Sequence, residues 1–344
     1  APVVGRLLDR YSARIVIALG AVLFALSMAA IALSHALWVM ALILLLPAAA
    51  GFVAIGPMNT STMASRWFFR RRGLALGIAA IATSGGGFTV VPLLSMAIQR
   101  FGWRAALLAE AGAVAAIIVI VILLVVRDNP AAVGLAGHPE NTGSALAEAR
   151  LAATRAGRPG WRTVLSNRAF WLAAITLALV SGTSQALVVA LVPYAIQLGF
   201  TAKVVALLVA AFSLCAGVTK IVAGFLADRV DLRWLLAAAS LLMARALLAL
   251  SVSPGYALLL AGACLAGIAL GFALPSTAAL IAATFGAARF ASVMGWAYTL
   301  LLAGAIASVL FAGIVYDRSG SYHPAFLTFA GLLTLQLAAI LILP

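Results

Sequence analysis

The chain has 344 residues, of which 65% are hydrophobic and only 9% are charged, with a formal net charge of +14. A soluble domain is about 45–50% apolar and about 25% charged, and even a large one keeps about a quarter of its surface in water. The composition therefore excludes a water-soluble enzyme, a disordered tail and a secreted disulfide scaffold, and it predicts a protein that dissolves in lipid.

Long apolar segments alternate with short clusters of Lys and Arg, so the positive charge does not predict nucleic acid as a partner. A hydrocarbon core of about 30 Å needs roughly 20 residues of helix, which gives about ten spans. Long Leu- and Ala-rich runs predict helices and not the alternating strands of a β-barrel. The predicted spans, in chain order, are 15–34, 39–63, 74–98, 105–126, 170–197, 204–227, 235–251, 257–283, 292–316 and 325–343.

The cationic residues divide unequally between the two ends of these spans. When successive loops are assigned to alternate sides, sixteen Lys and Arg fall on one side and four on the other. Positively charged loops remain in the cytoplasm, so this bias predicts that the long polar segment 127–168 is cytoplasmic.

An internal repeat divides the chain into two related parts. The pattern G-x-L-x-D-R-x-x-x-R occurs at residues 5–14 and again at 224–233. The match predicts an incomplete N-terminal helical half at 1–126, a cytoplasmic central loop at 127–168 and a C-terminal helical half at 169–344. Two spans precede the second copy and none precedes the first, so we expect about 50 further residues, one helix and most of a second, in an intact 6 + 6 protein.

The duplicated loop resembles the signature of the major facilitator superfamily, which lies between the second and third helices and again between the eighth and ninth. The segments RWFFRRRGLALG, FGWRAA and YDRSGSY, which begin at residues 66, 101 and 316, are similar to the monocarboxylate-transporter branch and its oxalate/formate-antiporter relatives.

This resemblance implies an all-α membrane protein with two six-helix halves. It also implies a monomeric secondary transporter in the bilayer of a cell membrane, the bacterial inner membrane. Such a transporter would move a small organic anion by alternating access, coupled to protons or to exchange.

The Gly–Asp–Arg loops predict a conformational gate. A glycine lets helices approach closely, and an aspartate accepts hydrogen bonds from the N-terminus of a neighbouring helix. The alternative is that the loops carry ordinary topology charges, but topology alone does not require an acid in both copies. The predicted gate residues are Gly5, Asp9, Arg10, Gly224, Asp228 and Arg229.

Three ionisable side chains lie within predicted spans, where such groups mark functional sites. Lys220 is the first candidate for binding the anion, because it lies on a face of small residues and matches the position where the carboxylate branch carries an Arg. Snorkelling of its ammonium to the headgroups is the alternative. Arg245 is a second candidate with the same alternative, and Glu110 is a candidate proton site or a partner of Arg104.

Polar side chains within the spans complete the predicted cavity. They are Asn59, Thr62, Gln185, Tyr194, Tyr298 and Thr299. Two departures from the branch affect the substrate. Ala216 stands where proton-coupled members carry Asp, and no second cation stands near Leu300. One cation favours a monoanion over a dianion such as oxalate.

The remaining motifs predict neither an enzyme nor a cofactor. His35, His138 and His323 show no metal-ligand spacing, and no phosphate-binding loop or nucleophile–base set is present in the sequence. The alternatives are a drug or sugar porter of the same fold and, in a different class, a non-transporting sensor.

Overall fold

The fold consists of apolar helices that follow one another along the chain. The computed structural model describes residues 4, 7, 11–68, 72–124, 126–127, 164–252, 255–286 and 289–342. The helices are α1 (Ala13–Leu33), α2 (Leu37–Ile43), α3 (Ala49–Ile55), α4 (Pro57–Trp67), α5 (Arg72–Leu124), α6 (Arg168–Gln197), α7 (Ala202–Ala227), α8 (Leu232–Val252), α9 (Tyr256–Phe285), α10 (Phe290–Ser319) and α11 (His323–Ile342). These bounds confirm the predicted all-α architecture.

The predicted span 39–63 is a segment with two interruptions. Leu44–Ala48, between α2 and α3, is a π-helical turn that contains Pro47. Gly56 then takes an extended conformation, with φ −79° and ψ −166°, and separates α3 from α4. Pro57 occupies the first position of α4, where the missing N–H costs nothing because that group has no intrahelical acceptor.

Helix α5 joins the two predicted spans 74–98 and 105–126. The junction is Gly102, whose φ of 80° and ψ of 159° depart from helical geometry. A residue with a Cβ rarely adopts this conformation, so glycine is required at the bend. The chain therefore turns where the sequence predicts a break, although without a separate loop.

The surface has the character of a protein in lipid. Among the described residues, nine helical segments are long and apolar enough to cross a membrane. Large apolar side chains point outward along them, among them Trp38, which is 88% exposed. Such a surface is unfavourable in water and is suited to hydrocarbon.

The first of two compact units comprises Ala1–Arg70, Gly85–Arg158 and Phe285–Gly295. In it, Gly51 of α3 packs against the backbone of α1, where an added Cβ would lie 2.8 Å from the nitrogen of Phe24. The core cluster around this crossing consists of Met28, Ile31, Ala48 and Ala111, with Phe24, Ala25, Met40, Ile43 and Leu107 around it.

The second unit comprises Arg71–Ser84, Pro159–Thr284 and Trp296–Pro344, so the start of α5 belongs to it. Helix α11 packs along α8, and α6 contacts α7, α8 and α11. A buried hydrogen bond of 2.8 Å, from Nε2 of Gln336 to Oγ1 of Thr176, joins α11 to α6. One apolar cluster of this unit consists of Ala173, Leu236, Ala237 and Ile340.

Candidate functional site

The loop after α7 binds the beginning of α5 within the second unit. Oδ1 of Asp228 accepts a 2.7 Å hydrogen bond from the backbone N–H of Gly73, and Oδ2 accepts one of 3.0 Å from Leu74. The first N–H groups of a helix have no intrahelical acceptor, and the helix dipole makes this end positive. Asp228 therefore caps α5 from another helix, as the sequence predicts for this type of loop.

Glycines bring the two backbones together beside this cap. A Cβ added to Gly224 of α7 would lie 2.8 Å from Cα of Gly77, and one added to Gly73 would lie 2.8 Å from Oδ1 of Asp228. Side-chain carbons do not occupy such positions, so the crossing requires small residues on both helices. Gly224 is a predicted gate residue, whereas the partner roles of Gly73 and Gly77 are new findings. Their signal was present as two glycines four residues apart at the start of a predicted span.

Arg229, the remaining predicted gate residue in the described part of the chain, makes a different contact. Arg229 places its guanidinium 4.0 Å from the ring centroid of Phe225, which lies four residues earlier in the chain, as a cation–π pair. Gly5, Asp9 and Arg10, the first copy of the motif, lie outside the described residues.

Lys220 lies one turn before Gly224 and is 5% exposed. Its backbone carbonyl contacts Gly77 of α5. The preceding residue, Thr219, packs against Gly271 of α9, where an added Cβ would lie 2.5 Å from the Cβ of Thr219. This part of α7 is thus packed against two helices, and the lysine lies within the packing. A snorkelling lysine exposes its ammonium, so the low exposure disfavours that alternative.

Tyr298 lies eight residues into α10, about 12 Å from its beginning, and Lys220 lies seven residues, about 10 Å, from the end of α7. Oη of Tyr298 is buried and has no hydrogen-bond partner among the described residues. A buried hydroxyl without a partner is costly, so this group is a candidate for contacting a ligand.

The remaining candidates are dispersed. Gln185 of α6 and Arg245 of α8 are exposed, and Glu110 of α5 is half-buried. Asn59 of α4 is 1% exposed, and its Nδ2 donates a 2.8 Å hydrogen bond to the carbonyl of Ala54. Its Oδ1 has no hydrogen-bond partner among the described residues.

Two polar residues serve the scaffold. Arg104 donates hydrogen bonds of 3.1 Å and 3.2 Å to the carbonyls of Ala32 and Ser34 at the end of α1. Among the described residues, no hydrogen bond or ion pair joins Arg104 to Glu110. The hydroxyl of Tyr194 donates a 2.9 Å hydrogen bond to the carbonyl of Leu250 on α8. Tyr194 therefore ties two helices together, although the sequence places it among cavity residues.

Comparison with known proteins places this architecture in a family. The family model for the Major Facilitator Superfamily matches residues 1–203 and 176–344. Over 337 residues the chain is 29% identical to monocarboxylate transporter 11 of Mus musculus, covering 95% of this chain and 71% of the relative. It is 27% identical over 293 residues to monocarboxylate transporter 12 of Rattus norvegicus, covering 77% of this chain and 58% of the relative.

A solved structure shares the fold. A double-tryptophan variant of XylE superposes with a TM-score of 0.77 at 14% identity, covering 99% of this chain and 82% of that one. At this identity the likeness concerns the fold alone. Since the family match reaches from residue 1 to residue 344, the chain belongs to the major facilitator superfamily and is a multi-pass membrane transporter, not an enzyme.

Proposed function

We propose that the chain is a secondary active transporter that moves small organic monoanions, the monocarboxylates, across the membrane by alternating access. The observation that carries the proposal is the position of Lys220, which is only 5% exposed on α7 among small residues. The names of the relatives, monocarboxylate transporters 11 and 12, point to the same class of substrate.

The chemistry of Lys220 suits a monoanion. Withdrawing an ammonium from water costs several kcal/mol, and an anion in the same site offsets that cost. Lysine presents a compact charge with three donors, whereas arginine presents a rigid fork that holds a carboxylate by two bonds. A substrate carboxylate on Lys220 would thus be held and still released. Tyr298 lies about as far from its own helix end as Lys220 does from the end of α7. Its hydroxyl would supply a neutral hydrogen-bond donor to the substrate carboxylate.

The contact of Asp228 with α5 supports a gate in this proposal. Alternating access needs an element that has two states and that opens one side of the bundle. Breaking the two hydrogen bonds to Gly73 and Leu74 would release the beginning of α5 from the end of α7. The charge bias predicts that this end is cytoplasmic, so the contact would close the cytoplasmic side.

Several finer features belong to the same proposal. The chain would act as a monomer with its helical halves at 1–126 and 169–344 around the loop at 127–168. Ala216 leaves no acid one turn before Lys220, so coupling would involve exchange or a proton on another group, for which Glu110 is the candidate. The relatives named above are mammalian and lend no support to a bacterial inner membrane.

The alternative is a porter of sugars or drugs. XylE is described as a proton:xylose symporter, but at 15% identity it shares only the fold with this chain. Counterflow in proteoliposomes separates the two classes. We expect vesicles loaded with unlabelled lactate or pyruvate to accumulate the labelled acid, and the Lys220→Gln variant to lose this accumulation. Counterflow of xylose or of a lipophilic cation, without counterflow of any small acid, would overturn the proposal.

A further inference from the structure

A break within the candidate membrane span Leu37–Ala64 removes the helical donors of two backbone oxygens. Gly56 ends α3, because its ψ of −166° is extended. The next residue, Pro57, has no N–H, so the carbonyl of Val53 loses the donor that the fourth residue along supplies in a continuous helix. Inside a membrane span no bulk water replaces that donor, so the oxygen needs another partner.

The last residue of α3, Ile55, has a carbonyl in the same situation. In a continuous helix this carbonyl accepts from the N–H of Asn59, four residues later. Here that N–H donates to the carbonyl of Gly56, at 3.0 Å. The helical run that ends at the break begins at Leu37, because the π-helical turn keeps helical φ and ψ at both of its ends. The last carbonyls of such a run carry the negative end of its dipole, so both oxygens favour a positive partner.

The side chain of Asn59 adds a third oxygen at this break. Its Nδ2 donates to the carbonyl of Ala54, and this bond holds the amide against the end of α3. The Oδ1 of the same amide is buried and has no hydrogen-bond partner among the described residues, while Asn59 as a whole is 1% exposed. A buried acceptor without a donor is costly, so this oxygen marks a place for a group that binds from outside the chain.

Helix α1 covers the end of α3 at the break. Gly20 of α1 lies directly against the side chains of Ala54 and Ile55. The charged residue of α1 is Arg14, and its guanidinium donates a 3.1 Å hydrogen bond to the carbonyl of Ile122 near the end of α5. That charge is therefore held at another helix end. The three oxygens at the break thus lie within the packing of the first unit.

The type of these oxygens indicates which ion they suit. All three are neutral carbonyl or amide oxygens. Divalent cations are usually held by carboxylates, and the described residues contain no group of three or more His, Cys, Asp or Glu side chains that could hold a metal ion. Neutral carbonyl oxygens can replace the hydration shell of a monovalent ion inside a membrane protein, as they do in broken membrane helices.

We propose that the break between α3 and α4 binds a monovalent alkali-metal cation through Oδ1 of Asn59 and the carbonyls of Val53 and Ile55. The bound cation offsets the negative end of α3. It also joins α3 to α4, because Asn59 belongs to the second of these helices and the two carbonyls to the first. Coupling of this ion to uptake rests on the function proposed above, whereas its binding does not.

Thermal unfolding of the full chain in detergent, without any organic acid, tests the proposal. The chlorides of sodium, lithium and potassium are compared with N-methylglucamine chloride at equal ionic strength. We expect at least one alkali cation to raise the unfolding temperature with concentration until a single site is filled, because a ligand that binds only the folded state stabilises it. The cation that gives the largest rise is the one bound. Equal unfolding temperatures in all four salts would overturn the proposal.

Two variants remove ligands one at a time. Asn59→Leu has no side-chain oxygen and should lose the response to the alkali cation. Pro57→Ala returns an N–H that can pair with the carbonyl of Val53. It should need at least about tenfold more salt for half of the shift, and it serves as the test if Asn59→Leu does not fold. A wild-type response in both variants, or in Pro57→Ala when only that variant folds, would overturn the proposal.

Ser27→Ala is the matched control in the same unit. Ser27 is 4% exposed, and its hydroxyl donates a 2.6 Å hydrogen bond to the carbonyl of Leu23, so the variant also removes a buried polar group. It should respond to the alkali cation as the wild type does, and loss of its response would contradict the assignment to Asn59. Lys220→Gln should respond as well, so a failure of the proposed monocarboxylate transport leaves the result on the cation site intact.

Discussion

The carboxylate of Asp228 and the backbone of Gly73 form a 2.7 Å hydrogen bond, although 155 residues separate them in the chain. A second bond to Leu74 makes the carboxylate the cap of α5, while Gly224 lets α7 come close enough for both bonds. A charged cap of this kind is released as a unit, because neither bond survives when the helices separate. It is therefore a suitable element for a gate.

Replacing Asp228 with asparagine should weaken this contact. The amide of the new side chain retains one acceptor oxygen but has no charge to oppose the positive end of α5. We expect Asp228→Asn to shift the population towards the inward-open state by about 1–3 kcal/mol, or about 5- to 150-fold. Ala227→Cys reports the shift, because Ala227 packs against Gly73 in the capped state and becomes accessible to a thiol reagent when the helices separate.

The labelling is measured in a background in which Cys215 and Cys264 are replaced by Ala. Asp317→Asn is the matched control, since it makes the same charge change at an exposed position near the end of α10. Its labelling rate should equal that of the parent. If Asp228→Asn also labels at the parental rate, Asp228 does not hold the gate closed.

Gly224→Ala should also open the contact, for a steric reason. The new methyl would lie 2.8 Å from Cα of Gly77, and the backbone on both sides is helical, so α7 must move away. Overpacking of this kind typically costs about 1–3 kcal/mol. Gly313→Ala is the control, because a Cβ there meets no atom within 4 Å. We expect thermal unfolding and Ala227→Cys labelling to change in the first variant only.

Lys220→Gln should lose the uptake of monocarboxylates while it inserts and unfolds as the wild type does. A hydrogen bond to a charged group contributes about 1.5–3 kcal/mol, so we expect affinity to fall by about 10- to 100-fold. Lys220→Arg should keep the charge and part of the activity. Wild-type uptake by Lys220→Gln, combined with loss of uptake by Arg245→Gln, would move the anion site from α7 to α8.

Tyr298→Phe separates binding from folding. The hydroxyl is buried without a partner among the described residues, and its removal relieves a penalty of about 1–3 kcal/mol. We therefore expect a higher unfolding temperature in the absence of substrate. If the hydroxyl contacts the carboxylate, the apparent KM for the acid should rise at the same time. A lower unfolding temperature would show that the hydroxyl has a structural partner instead.

Much of the fold follows from local features of the sequence. The lengths of the apolar runs and the positions of Gly and Pro predicted the helices from α6 to α11 to within a few residues, because helix length in a bilayer depends on the hydrocarbon thickness. Gly102 was predicted as part of a break for an equally local reason. The duplicated Gly–Asp–Arg pattern likewise identified the family before any contact was known.

The pairing of residues across helices was decided by the tertiary structure. The sequence shows Gly73 and Gly77 as a pair of glycines four residues apart, but it does not identify their partner, which follows from the meeting of the beginning of α5 with the end of α7. The same holds for Arg104, whose nearest acid in sequence is Glu110 but whose guanidinium reaches the carbonyls at the end of α1. By itself the sequence determined which segments lie in the membrane and that Lys220 is a charge among small residues. Whether that charge faces lipid or protein depends on how the helices pack, and it is this packing that leaves Lys220 only 5% exposed.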